Sequence, residues 1–158
     1  MLKTRIIIAL LLLSIGTGLG ISQLRGIKNP ELHVLCQENL DKNYDKMLSL
    51  ISSHKGKYIS KSDTEEINLF STLLGNKLEF VDLRDPNNIS FSFPSYQPEM
   101  SRKLVYCVDN RIQIGADNIL EESDNDLRLE NLGTTQNGYI WCTRIRECWF
   151  YWESYLPT

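Results

Sequence analysis

The spacing of apolar residues divides the chain into one helical segment and a longer segment of strands. Between residues 31 and 52, apolar side chains recur at three- and four-residue intervals, directly after Asn29-Pro30, which favours a helix start. Beyond Gly56, short runs alternate between apolar and polar residues, as half-buried strands do. The pattern predicts an α+β fold, in which one amphipathic helix precedes a mainly antiparallel β-sheet. The predicted strands are 57–60, 77–83, 89–93, 103–108, 111–114, 127–132, 139–142 and 148–152.

Residues 62 to 74 fit two kinds of secondary structure. Ser62 and Glu65 have the spacing of a capping box, and Gly75-Asn76 would end a helix that began there. The same stretch alternates as Ile67, Leu69, Ser71 and Leu73, which suits a strand. We predict a strand here, with the helix as the alternative.

Turn residues predict how the later strands pair. Asp109-Asn110 is a tight-turn sequence and predicts that 103–108 and 111–114 form a hairpin. Asn137-Gly138 is the strongest hairpin signal in the chain. A bend near Ile145 would join the two last strands.

The first 25 residues have the composition of an export segment. Lys3 and Arg5 precede an apolar run that extends to Ile15, and small residues follow it. A cleaved secretory signal and an uncleaved anchor over Ile6–Ile21 both fit, and an anchor would have to span the bilayer with few residues to spare. We predict a membrane anchor or signal over residues 1–25 and a single extracytoplasmic domain over 26–158, with secretion after cleavage as the alternative.

The charge of the exported part disfavours nucleic acid as a ligand. Lys3 and Arg5 belong to the export segment, so 15 of the 17 basic residues face 20 acidic ones, for a net charge of −5. Such a domain repels phosphate backbones. We therefore expect no direct binding to nucleic acid.

The four cysteines predict disulfide bonds, because an exported domain meets an oxidising compartment. Three pairings are possible, and we favour Cys36 with Cys107 and Cys142 with Cys148. The second pair would face each other across the hairpin that bends near Ile145. The five-residue gap between Cys142 and Cys148 does not match a thiol oxidoreductase or a zinc site.

The segment WCTRIRECWFYW, residues 141–152, has aromatic residues on both faces of its second strand. One face would pack in the core, and the other would remain for a partner or an apolar ligand. The candidate contacts are Trp141, Trp149, Tyr151 and Trp152. A purely structural role in the core is the alternative.

Sequence motifs of enzymes do not occur in the chain. It contains no nucleophile elbow, zinc-protease helix motif, phosphate-binding loop or dinucleotide fingerprint. His33 and His54 are isolated in the sequence. We expect a protein that is not an enzyme, with no catalytic residue, no metal and no cofactor.

The apolar segment Ile6–Ile21 and the four cysteines give the whole chain a layout that resembles the MyfF/PsaF type of regulatory protein. The resemblance implies a bacterial inner-membrane accessory protein with its C-terminal domain in the periplasm. It also implies a partner, a membrane-bound DNA-binding activator of fimbrial genes, whose periplasmic tail the domain would stabilise or activate. The alternative function is a secreted or periplasmic module that binds a ligand or mediates adhesion. A small apolar effector is compatible with both functions.

Overall fold

The computed structural model describes residues 30–95, 97–114, 118–121, 124–132 and 136–157, and confirms an α+β fold with a mainly antiparallel sheet. The export segment predicted for residues 1–25 lies outside this part. Neither described helix is long and apolar enough to cross a membrane. The elements are α1 (Pro30–Ser53), β1 (Tyr58–Ser60), α2 (Thr64–Leu74), β2 (Phe80–Asp82), β3 (Asn88–Phe93), β4 (Met100–Cys107), β5 (Ile112–Ile114), β6 (Asn118–Leu120), β7 (Asp126–Leu132), β8 (Gly138–Arg146) and β9 (Trp149–Tyr155).

Helix α1 coincides with the predicted amphipathic helix and bends at Asn43. Asn43 leaves helical geometry, with φ −120° and ψ 17°. Its side-chain amide donates to the Asn39 carbonyl at 3.1 Å and to the Leu73 carbonyl of α2 at 3.1 Å. A side chain that bonds to the backbone within a helix favours such a bend, and this one also ties α1 to the end of α2.

The strand predicted for residues 62–74 is wrong, because Thr64–Leu74 forms helix α2. The buried residues Ile67, Phe70 and Leu74 follow helical spacing, whereas Leu69, which belongs to the alternating pattern, is 48% exposed. Gly75 ends the helix in the left-handed conformation, with φ 67°. The helix-ending signal at Gly75-Asn76 was therefore more informative than the alternation.

The sheet has seven antiparallel strands in the order β1-β2-β3-β4-β9-β8-β7. The predicted hairpin between β4 and β5 is wrong, because β3 and β9 occupy both edges of β4. Strand β5 instead pairs with β6 in a separate two-stranded sheet. Strands β7 and β8 form the predicted hairpin, but Gly138 is already the first residue of β8 and lies opposite Leu132.

Each face of the large sheet has its own hydrophobic core. The inner face packs against α1 and α2, through residues such as Leu40, Phe70 and Phe91. The outer face packs against the β5–β6 hairpin, through Ile112 and Phe150 among others. The strands near the centre are therefore apolar on both sides, as expected for a sheet that is covered on both faces.

Candidate functional site

The aromatic segment that stands out in the sequence forms the β8–β9 hairpin, and its residues divide between the two faces. Trp141, Trp149 and Tyr151 are buried on the inner face and are at most 4% exposed. Trp152 lies on the outer face and is partly buried. Of the four predicted contact residues, Trp152 is therefore the one that a partner can reach without opening the core.

The hairpin turns two residues later than the sequence predicts. It bends at Glu147 and Cys148, with Cys148 in the left-handed region at φ 64°, rather than near Ile145. The register of β8 against β9 shifts between Arg144 and Arg146, so Ile145 is the additional residue of a bulge. Because the turn is this late, β8 extends to Arg146.

This geometry corrects the predicted disulfides, and all four cysteines are free thiols in the structure. Cys142 lies opposite Trp152 in the ladder, so it does not face Cys148. Cys36 packs in the inner core and Cys107 in the outer core, with the sheet between them. A disulfide needs its two β-carbons on the same side and close together, and neither predicted pair meets that condition.

Burial also makes three of the thiols poor nucleophiles. It raises the pKa of Cys36, of Cys107 and of Cys142 to about 12 in each case. The thiolate is the reactive form of cysteine, so these three side chains are protonated at neutral pH. Cys148 is half-buried, and its pKa is also raised, mainly by burial and by the nearby Glu147.

A buried carboxylate occupies the inner face near the C-terminus, and the sequence analysis did not single it out. Glu153 is 1% exposed. The Tyr139 hydroxyl donates to its Oε1 at 2.6 Å, and the Tyr151 hydroxyl donates to its Oε2 at 3.0 Å. Arg102 lies directly opposite Glu153 in the β4–β9 ladder. We call these four residues the Glu153 cluster.

The two tyrosines of this cluster stay neutral over a wide pH range. Burial raises the pKa of Tyr139 above its ordinary value, and the hydrogen bond to Glu153 raises it further. Burial and repulsion from the Glu153 carboxylate have the same effect on the pKa of Tyr151. Arg102 lowers the pKa of both tyrosines, but more weakly. Both hydroxyls therefore remain donors to the carboxylate.

Helix α1 covers the cluster with an aromatic layer. The His33 ring packs edge-on against Trp141 with ring centroids 5.4 Å apart, and tilted against Tyr151 at 5.9 Å. The Trp141 indole donates to the Asp126 carboxylate at the start of β7. His33 therefore helps to pack α1 against the sheet.

The Glu153 cluster is better suited to holding the fold together than to catalysis. Its carboxylate and its Tyr151 ring are shielded from solvent, and each carboxylate oxygen accepts a tyrosine hydroxyl. In the described part of the chain, no group of three or more His, Cys, Asp or Glu side chains is arranged to hold a metal. The signal that could have revealed the cluster is the alternation Tyr151, Glu153, Tyr155, which places a carboxylate on the aromatic face.

Apolar residues beyond the β5–β6 hairpin remain partly accessible on the outer face. Trp152 lies opposite Cys142, which lies opposite Leu127, and Ile140 lies opposite Leu129. We call Leu127, Leu129, Ile140 and Trp152 the outer apolar surface. It is continuous across three strands and ends at β7, the last strand of the sheet.

A second apolar feature lies between the two helices. An open groove of ≈ 540 Å³ is lined by α1, including Leu50, and by α2, including Leu69 and Leu73. Asp45 and Lys46 also line the groove. The groove has the size of a small-molecule site, but it is wide open to solvent.

Comparison with protein-family models, with curated protein sequences and with solved structures returns no match.

Proposed function

We propose that this chain is an exported accessory protein that is held at the membrane by its apolar N-terminal segment and binds a partner through the outer apolar surface. The partner is a membrane-bound DNA-binding activator with an extracytoplasmic tail, as the MyfF/PsaF-like layout implies. The domain stabilises or activates that tail, and in this way regulates the expression of fimbriae or adhesins.

One observation carries the proposal, namely the position of Trp152. The other tryptophans of its hairpin stabilise the inner core, whereas Trp152 lies on the outer face with Leu127 and Ile140 nearby in the ladder. Partly accessible tryptophan beside aliphatic residues is typical of the residues that dominate binding energy at protein interfaces. The buried Glu153 cluster, by contrast, gives no support to an enzymatic function.

Site-specific photo-crosslinking in intact membranes tests the proposal. A photoreactive amino acid replaces Trp152 in the full chain, and crosslinked products are identified by mass spectrometry together with the mature N-terminus. We expect a chain that retains the Met1 region and a crosslink to a single-span DNA-binding protein. The same probe at Leu69, which is 48% exposed on α2, should not capture that protein.

The opposite result would end the proposal. A chain that begins near Ile21 or Gln23, lies in the soluble fraction and gives no protein crosslink from Trp152 contradicts both the anchor and the partner.

A second candidate function is supported by the groove between α1 and α2. Its apolar lining, with Leu50 and Leu73, suits a small apolar effector or ligand. A secreted or periplasmic ligand-binding module would use this groove rather than the buried Trp141 and Trp149. Binding of a fluorescent apolar probe such as ANS that is lost in Leu73→Asp, but retained in Ile119→Asp on the β5–β6 hairpin, would favour this function.

A further inference from the structure

Strand β7 is the longer of the two edge strands of the sheet. It has seven residues, whereas β1 at the other edge has three. Within the described residues, β8 is the only strand that pairs with β7. An edge strand presents a row of backbone N–H and C=O groups that can pair with another strand. The partner that fits β7 is therefore an extended segment.

The hydrogen-bonding pattern limits how two copies of β7 can pair with each other. Alternate residues of an edge strand direct their backbone groups outward, so an outward residue must meet an outward residue of the other copy. In an antiparallel arrangement, the two-fold axis must then pass through a residue rather than between two residues. The candidate axes in the regular part of β7 are at Leu127, Arg128, Leu129 and Glu130.

The charges of β7 exclude two of these registers and favour one of the others. An axis at Arg128 or at Glu130 places that residue opposite its own copy, so like charges meet. An axis at Leu129 instead places Arg128 against Glu130 of the second copy, twice, and opposite charges across an antiparallel pair stabilise it.

The remaining register, with the axis at Leu127, combines attraction and repulsion. It places Arg128 against Asp126 of the second copy, but it also places Asp124 against Glu130. The Asp126 carboxylate already accepts a hydrogen bond from the Trp141 indole within its own copy. The axis at Leu129 therefore gives the better charge complementarity.

The side chains of Arg128 and Glu130 are already arranged for such pairing. They form an ion pair within the strand, with Nε to Oε1 at 2.6 Å, and are 37% and 59% exposed. Both lie on the inner-face side of the strand, since the Arg128 guanidinium carbon is 5.4 Å from the centroid of the Tyr139 ring. Pairing across the axis would extend this ion pair to a network of four charges.

The opposite side of the strand adds apolar contacts. Leu129 lies on the outer face, so an axis there brings Leu129 of one copy against Leu129 of the other. The two outer apolar surfaces then become continuous. We propose that two copies of this chain pair antiparallel through β7 about a two-fold axis at Leu129. This inference is argued from the β7 edge and needs no second protein, but it rests on the membrane anchor of the proposed function.

The pairing is short, so the dimer is weak and reversible. Asn131 adopts φ 60°, and the register with β8 shifts between Glu130 and Leu132. Regular pairing therefore centres on Arg128, Leu129 and Glu130 of each copy. Such a contact buries less than the roughly 1,200 Å² of a stable interface, so dimerisation depends on the high local concentration at a membrane.

Cysteine crosslinking of the full chain in membranes tests the position of the axis. Leu129→Cys, in a Cys148→Ser background, is treated with a short bis-maleimide. We expect a covalent dimer of the chain with itself, and we expect none from the control Leu69→Cys in the same background. Equal dimer from both variants, or a Leu129→Cys product that contains only another protein, overturns the proposal.

A charge-reversal series tests the register. Arg128→Glu makes both positions that flank Leu129 acidic, and Glu130→Arg makes both of them basic, so either variant repels its own copy. In the Leu129→Cys background, each variant alone should lose dimer about tenfold. Mixing differently tagged copies of the two variants should restore it, because the two acidic side chains of one copy then meet the two arginines of the other.

The mixture also controls for folding. A variant that fails to fold cannot regain pairing when it is mixed with the other, and thermal unfolding of each variant shows directly whether it is folded. Two variants that fold normally but do not form a mixed dimer contradict the register, and hence the proposal.

Discussion

Glu153 illustrates how single side chains decide what the inner face of the sheet can do. Its carboxylate is 1% exposed and accepts hydrogen bonds from Tyr139 and Tyr151. A buried charge without partners is strongly unfavourable, so these two donors and the nearby Arg102 are needed for Glu153 to be tolerated. The cluster in turn fixes the relative positions of β8 and β9.

Removal of the carboxylate should destabilise the protein. Glu153→Ala leaves two buried hydroxyls without their acceptor and removes the negative charge opposite Arg102, and we expect a loss of about 3–5 kcal/mol in the free energy of unfolding. The matched control is Glu147→Ala at the exposed hairpin turn, which should change that free energy by less than about 0.5 kcal/mol. Denaturant unfolding of the full chain in mild detergent measures both, and equal losses would contradict the role of the cluster.

Because of the two tyrosines, the free energy of unfolding should decrease at alkaline pH. Their pKa values are raised in the folded state relative to the ordinary value of 10.0. Above about pH 10, the unfolded chain loses the phenolic protons while the folded chain keeps them. The stabilisation is therefore complete below the ordinary pKa and is lost as the pH rises above it.

Replacing one tyrosine should weaken this dependence. For Tyr151→Phe, we expect the decline in unfolding free energy between about pH 10 and pH 11 to be shallower by up to about 1.4 kcal/mol per pH unit. The control Tyr58→Phe changes a ring that is 47% exposed on β1 and should leave the decline unchanged. An identical slope in wild type and Tyr151→Phe would exclude this tyrosine as a source.

At the scale of elements, two glycines adopt the left-handed backbone conformation. Comparing them distinguishes the cost of backbone strain from the cost of a steric clash. Gly75 ends α2 at φ 67°, and an added β-carbon would lie 2.6 Å from Nδ2 of Asn39. Gly56 has φ 83°, but nothing lies within 4 Å of its β-carbon position. A side chain at either position would therefore strain the backbone. At Gly75 it would also clash with Asn39 of α1.

Alanine at the two positions should have different effects. We expect Gly56→Ala to lower the free energy of unfolding by about 1 kcal/mol through strain alone. Gly75→Ala should lose about 1–3 kcal/mol more, because Asn39 or the end of α2 must move. Thermal and denaturant unfolding compare the two variants, and the prediction fails if Gly56→Ala is as destabilising as Gly75→Ala.

The β5–β6 hairpin depends on one arginine of the large sheet. The Arg144 guanidinium donates to the carbonyl of Glu121 at 2.7 Å, to that of Asp124 at 3.2 Å and to that of Asn110 at 3.2 Å. It also lies 4.6 Å from the centroid of the Phe150 ring. Arg144 therefore connects the segments on both sides of the hairpin to β8.

Loss of this arginine should loosen the hairpin selectively. For Arg144→Met, we expect faster amide hydrogen exchange at Ile112, Ile114 and Leu120 and little change at Phe91 in β3. The control Arg111→Met alters a side chain that is 52% exposed, with ion-pair distances of 3.7 and 3.9 Å, and should have a small effect. Uniform acceleration across the sheet would show global rather than local destabilisation.

At the scale of the whole molecule, two hydrophobic cores on opposite faces of one sheet protect three of the four cysteines. Cys36, on α1, is buried in the inner core, whereas Cys107 and Cys142 pack under the β5–β6 hairpin. The thiols are therefore reached only when the corresponding core opens. Cys148, at the hairpin turn, is the exception because it is half-buried.

Thiol labelling measures this arrangement directly. In the native full chain, we expect a thiol reagent such as DTNB to modify Cys148 at neutral pH and to modify the other three only in denaturant. The control Cys148→Ser should show almost no labelling in the native state. Fewer than four reactive thiols in denaturant without reductant would reveal a disulfide in the exported protein and would contradict the free-thiol structure.

Several features of the fold follow from local sequence, because a helix or a strand repeats its buried positions at a fixed spacing along the chain. The helical period identified α1, and alternation identified most strands of the large sheet. The alternation over residues 67 to 73 led to a wrong prediction of a strand. The same residues also have helical spacing, and they form a helix that ends at Gly75. The sequence identified Trp152 as a candidate contact. It did not show that Trp141, Trp149 and Tyr151 would be buried while Trp152 stays partly accessible.

The sequence by itself determined the α+β class, the apolar N-terminal segment and the aromatic hairpin, since each depends on composition or on a short repeat. Only the tertiary structure decided the neighbours of β4 and β5, because pairing depends on which edges are already occupied. The insertion of β9 beside β4 removed the predicted β4–β5 hairpin, and the turn at Glu147 and Cys148 placed Cys142 opposite Trp152 rather than opposite Cys148. The packing of the strands also brought Glu153 close to Tyr139, Tyr151 and Arg102, where burial makes their hydrogen bonds important. It left β7 at the edge of the sheet, where its backbone can pair with another strand.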